Sequence, residues 1–130
     1  MLAAAVWPLR TEKFAMTILY GIKNCDTVKK ARKWLETAGI EYRFHDFRSD
    51  GLEREKVAAW NQAVGWETLL NRRGTTWRQL PEEVKETIDE ARALDLMIEH
   101  PTLIKRPVLE HGKDVRVGFK EADYKTLFQQ

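Results

Sequence analysis

The sequence predicts one α/β domain whose elements run strand–helix–strand, then helices, then strand–strand–helix. Three observations carry this prediction. An apolar run at Thr17–Gly21 gives way to helical spacing and then to an alternating segment ending at Phe47. The middle of the chain keeps the helical period, and after Pro107 the period returns to two.

Thr17 to Gly21, TILYG, combines β-branched, aromatic and apolar residues and reads as a buried strand. From Asp26, Val28, Ala31, Leu35 and Ala38 recur at helical spacing, and Gly39 supplies the stop. Tyr42 to Phe47 alternates as a second strand, so the unit has the size of a βαβ crossover with parallel strands. Gly51 opens the helical middle. Val57, Trp60 and Val64 mark one amphipathic helix closed by Gly65, and WETLLNRRG forms a short segment ending at Gly74. Pro81 suits the first turn of a further helix, whose apolar face runs through Val84, Ile88, Ala91 and Leu94 toward Ile98. Pro107 to Gly118 reads as two strands turning at His111–Asp114, and Lys120 to Phe128 as a last helix.

Composition bounds the function. Apolar residues make up 43% and charged residues 32%, which suits a globular chain, and a net charge of +2 gives no nucleic-acid footprint. No run approaches the ~18 apolar residues of a membrane span. The single cysteine excludes an internal disulfide and a multi-thiolate metal site, and His45, His100 and His111 lack ligand spacing, so no metal is expected. An unpaired thiol fits a reducing compartment, here the cytoplasm. Residues 1–15 lack the basic start and long apolar stretch of a secretory signal. They read as a poorly ordered N-terminal extension to a domain over residues 16–130. The tryptophans at 7, 34, 60, 66 and 77 read as core rather than as a stacking platform.

The chemistry points to Cys25. It lies between the end of the first strand and the first turn of the helix, where ligands gather in open α/β sheets. A helix N-terminus offers free N–H donors and contributes about 0.3–1 kcal/mol toward an anion. Nearby cations add to that preference for the thiolate. Lys23, Lys29, Lys30, Arg32 and Lys33 surround the position; alternatively they form only a solvated basic face. A free cysteine can also serve as a small buried hydrophobe, but the polar flanks Asn24 and Asp26 weigh against burial. Val28 stands where a dithiol motif would place its second cysteine, which leaves a monothiol mechanism resolved by an external thiol. Arg106 either clamps an anion or is a surface cation, Arg72 and Arg73 are equally open, and Pro107 before a strand can hold either peptide isomer.

YGIKNC (Tyr20–Cys25), Thr27, LLNRRG (Leu69–Gly74) and HPTLIKRPV (His100–Val108) together resemble the arsenate reductase (ArsC)-like family of thioredoxin-fold proteins, over about Thr17 to Leu127. Within it the chain is most similar to the YffB group, which belongs with the Spx-type regulators. The resemblance implies a thioredoxin-like mixed sheet with a helical insertion at about 52–100. It implies Cys25 as nucleophile, a cis Pro107 facing it, Arg106 as an oxyanion ligand, and Arg72 or Arg73 as a second. Lys23, Asn24 and Thr27 complete the expected substrate-binding set. The arsenate reductases carry a third arginine at the place of Gly118 here, and Spx-type switches carry a second cysteine where Val28 stands.

The expected function is therefore a glutathione-dependent thiol oxidoreductase acting through a mixed disulfide, with glutathione as co-substrate and no bound cofactor. Arsenate reduction linked to glutathione or glutaredoxin, and an Spx-like transcription regulator, are the alternatives. Expected partners are glutathione, a small-molecule or disulfide substrate and glutaredoxin, and the chain is expected to be monomeric.

Overall fold

The computed structural model describes residues 16–129; the extension read at residues 1–15, with Trp7, lies outside the described residues. β1 (Thr17–Gly21), α1 (Asp26–Thr37) and β2 (Arg43–Asp46) form the expected crossover, and β1 pairs with β2 in parallel, Tyr20 opposite His45. Six helices follow: α2 (Phe47–Asp50), α3 (Arg54–Val64), α4 (Trp66–Leu69), α5 (Thr75–Gln79), α6 (Glu82–Glu86) and α7 (Glu90–Glu99). A 3₁₀ turn at Pro101–Leu103 leads into β3 (Val108–His111), β4 (Asp114–Val117) and α8 (Glu121–Phe128). The sheet order is β2-β1-β3-β4, with β3 antiparallel to both β1 and β4. This is the mixed, thioredoxin-like arrangement the sequence predicts.

Alternation along the central strands divides the core in two. Leu19 and Leu109, paired across β1 and β3, point into a layer with Val28, Ala31 and Leu35 of α1 and Tyr124 of α8. Tyr20 and Val108, the next pair, point the other way, against Trp60 and Val57 of α3 and Met97 and Leu96 of α7. Leu35 and Trp60 are wholly buried, and each such side chain stabilises the fold by about 1.5–3 kcal/mol. Among the described residues no helix is long and apolar enough to cross a membrane.

Several boundaries differ from the sequence reading. The second strand stops at Asp46 rather than Phe47, because the Asp46 carboxylate caps α2 by accepting the Arg48 N–H at 2.7 Å. The helix expected from Val84 to Ile98 is two helices. Asp89 accepts the Arg92 N–H at 2.9 Å and starts α7 afresh, which leaves Ala91 exposed. Pro81 precedes α6 as its cap residue instead of sitting inside the first turn. α5 was not anticipated: at five residues it is too short to display a period.

Candidate functional site

The site is assembled at the edge of the sheet where β1 and β2 end and β3 begins. Gly21 lets α1 come close to that edge, since a Cβ there would stand 2.7 Å from Val28 Cγ2. The chain then passes Lys23 and Asn24, both exposed, and reaches Cys25, the N-cap of α1. Cys25 has extended backbone, and its carbonyl accepts the Lys29 N–H at 2.9 Å. Its side chain makes no capping bond; the half-buried thiol packs against the layer of Leu19 and Val28 and lies beside the first N–H groups of a 12-residue helix. Thr27 lies half-buried in the first turn. Val28 is wholly buried, so the position a second thiol would need belongs to the core.

Asp46, at the end of β2, holds this loop in place: it accepts the Lys23 N–H at 3.2 Å as well as that of Arg48. Burial works against its carboxylate, but the N–H groups of Arg48, Lys23 and Ser49 prevail and hold its carboxyl below the usual range. The sequence reading passed over Asp46. Its one local signal is an aspartate directly before a helix start, visible only once α2 is known.

Pro107 falls beside Gly21 by register, because Tyr20 pairs with Val108. The Arg106–Pro107 peptide is cis, the isomer the resemblance implied, and the Pro107 carbonyl accepts the Gly118 N–H at 2.8 Å. Arg106 is anchored through one nitrogen: Nη1 donates to the carbonyls of Thr102 (3.0 Å) and Ile104 (3.2 Å). Its Nε is buried and has no hydrogen-bond partner among the described residues, a condition that costs about 1–3 kcal/mol.

The two remaining arginines come from the helical insertion. Leu70 forms an antiparallel bridge with Ile104, and the bonds Asn71 N–H to Leu103 O and Lys105 N–H to Leu69 O are both 2.7 Å. These bonds tie the segment that carries Arg72 and Arg73 to the one that carries Arg106. The guanidinium of Arg72 lies 6.0 Å from the Trp66 ring and 5.6 Å from the Trp77 ring. Arg73 differs. Its backbone is held at both ends, by Asn71 Oδ1 (3.1 Å) and by Arg78 Nη2 (2.8 Å), while its exposed side chain has no bonded partner among the described residues. Arg32, by contrast, is engaged with the Tyr42 hydroxyl (3.0 Å) and the Phe44 ring (4.3 Å).

Comparison with known proteins agrees with this architecture. A model described as the ArsC family matches residues 20–127. The solved structure of a protein named YffB is 50% identical and superposes with a TM-score of 0.83, covering 85% of this chain and 97% of its own. That of an arsenate reductase (ArsC) related protein from Brucella melitensis is also 50% identical, with a TM-score of 0.72 over 88% of this chain and 96% of its own. The global transcriptional regulator Spx of Lactiplantibacillus plantarum is 27% identical over 86% of each chain.

Proposed function

The chain belongs to the ArsC family, and from that premise we propose that it is a glutathione-dependent thiol oxidoreductase with Cys25 as its nucleophile. The observation that carries this reading is the Cys25 thiol itself, half-buried and without a capping bond at the N-terminus of α1, four residues beyond the end of β1. Cys25 Sγ attacks one sulfur of a disulfide. A new S–S bond forms as the old one breaks, and the displaced thiolate leaves and takes a proton from solvent. A glutathione thiolate then attacks the sulfur bonded to Cys25. The Cys25 thiolate is regenerated, and the departing disulfide carries off the oxidising equivalents. With no second cysteine in the chain, resolution must come from outside. Glutaredoxin can take the same part as glutathione, and a cytoplasmic location supplies either.

Arg106 is the natural receptor for a carboxylate of glutathione, since Nη1 fixes its guanidinium on the Thr102 and Ile104 carbonyls and no carboxylate among the described residues pairs with its charge. Arg73, with its backbone clamped and its guanidinium free, fits a second anion contact better than Arg72, which rests on Trp66 and Trp77. Intact mass after exposure to oxidised glutathione tests the proposal. One glutathione adduct on the unmodified chain and none on Cys25→Ser is the expected result; a native chain that stays unmodified refutes it.

A second reading, arsenate reduction, is favoured by the same anchored Arg106 guanidinium, which suits an oxyanion as well as a carboxylate. It requires arsenate turnover with glutathione that disappears in Cys25→Ser, and turnover at background level retires it.

A further inference from the structure

We infer that Lys105 is a specificity-determining residue of this site: it receives a carboxylate of the thiol or disulfide bound at Cys25, along a path kept open by Gly118. The inference rests on the thiol-oxidoreductase reading above and extends it to the class of substrate preferred, one that carries a carboxylate about 10 Å from its sulfur, as the extended γ-glutamyl arm of glutathione does.

Lys105 is held by its backbone, through its N–H to Leu69 O at 2.7 Å, while its side chain is exposed. Among the described residues its ammonium has no ion-pair or hydrogen-bond partner, as is also true of Lys23, Lys29 and Lys30; what sets Lys105 apart is where its stem runs. The stem of Lys105 crosses Gly118, its Cδ lying 4.0 Å from where a Cβ on Gly118 would stand. Gly118 has φ +80, a conformation that L side chains rarely adopt, so no side chain competes with the lysine there. Gly118 is bonded to Pro107, which lies beside Gly21 in the register of β1 and β3. With strands about 4.8 Å apart, the path from the end of β1 to the strand under the Lys105 stem is about 10 Å. In glutathione the sulfur sits on the central residue, and the extended γ-glutamyl arm places its carboxylate about that distance from the sulfur. A peptide thiol with its sulfur at Cys25 and its chain laid over Pro107 thus brings a terminal carboxylate within reach of the ammonium. A lysine acts there as a mobile point charge rather than a fork, which suits a flexible carboxylate better than a fixed oxyanion.

The test compares two disulfides on the full chain, following modification of Cys25 by intact mass. Oxidised glutathione carries carboxylates and hydroxyethyl disulfide is neutral. In Lys105→Gln the second-order rate with oxidised glutathione should fall about threefold, the scale of an exposed ion pair, while the rate with hydroxyethyl disulfide stays unchanged. Lys105→Arg should restore most of the loss, and salt near 1 M should erase the difference between Lys105→Gln and the unsubstituted chain. Equal rates in the two proteins with oxidised glutathione, or an equal slowing with both disulfides, overturn the role of Lys105 alone. An unsubstituted chain that reacts with hydroxyethyl disulfide but not with oxidised glutathione overturns both this inference and the proposed function.

Discussion

Arg106 illustrates how one side chain can be both fixed and available. Its Nη1 is spent on the carbonyls of Thr102 and Ile104, which sets the plane of the guanidinium, while no carboxylate among the described residues pairs with its charge. A lysine at this position would keep the charge, but its donors radiate from one atom and lack the rigid plane by which Arg106 holds two carbonyls while presenting other nitrogens to an anion. Arg106→Lys should therefore leave the fold intact and slow the reaction of Cys25 with oxidised glutathione about tenfold, the worth of one charge-assisted hydrogen bond of about 1.5 kcal/mol. Rates with a neutral disulfide should change much less. A uniform loss with both reagents would instead mean that Arg106 only supports the shape of the loop. At this same scale the positions of Cys25 and Pro107 in the fold were legible in the sequence, because their signals are local: a lone thiol at a strand-to-helix junction, and a proline at the start of a strand; the cis isomer of Pro107 came only from the resemblance. Asp46 was not legible, since its bond to Lys23 joins residues far apart in the chain. The choice between Arg72 and Arg73 was hidden too, because it depends on where Trp66 and Trp77 place their rings.

At the scale of elements, the long periodic segments were readable and the short ones were not. α1 and α3 each show their buried faces at helical spacing, and the glycine following each has positive φ (Gly39 and Gly65), as the sequence leads one to expect. α2, α4 and α5 have four or five residues each, fewer than two turns, so no period could identify them. The break between α6 and α7 was lost for a different reason: Val84, Ile88 and Leu94 keep a helical rhythm across it. Asp89 decides the matter by capping α7, whose buried residues Ala93, Leu94, Leu96 and Met97 close one side of the core. Asp89→Ala should destabilise the protein by about 1 kcal/mol in urea denaturation, and Asp89→Asn, which keeps a capping oxygen, should cost much less. An alanine variant as stable as the parent would mean that packing alone sets the boundary. The bridge of Leu70 to Ile104, which fastens the insertion to the segment before β3, joins elements with no shared pattern and could be found only in three dimensions.

Across the whole molecule, one carboxylate joins the sheet to the helical insertion. Glu110 of β3 accepts the Tyr20 hydroxyl of β1 at 2.9 Å, the indole N–H of Trp60 at 2.7 Å and the ammonium of Lys56 at 3.1 Å, the last two from α3. Burial, with the hydrogen bond to Glu110 behind it, raises the Tyr20 hydroxyl above its ordinary 10.0. For Lys56 burial acts in the opposite sense, but the hydrogen bond and charge of Glu110 outweigh it and raise the ammonium above its ordinary 10.5. Both groups are thus protonated more firmly in the folded chain than in the unfolded one. Their contribution to stability is complete below those ordinary values and is lost as pH rises through the higher folded values. Stability should accordingly decline on going from about pH 9 to about pH 11, because the unfolded chain releases these protons first. In Glu110→Gln the charge that holds both protons is gone. The variant should be less stable near pH 7 by about 1–3 kcal/mol, and its decline from about pH 9 to about pH 11 should be shallower. Urea denaturation of the two proteins at those pH values measures both effects. Parallel declines would place the alkaline sensitivity elsewhere in the fold and leave Glu110 with a packing role alone.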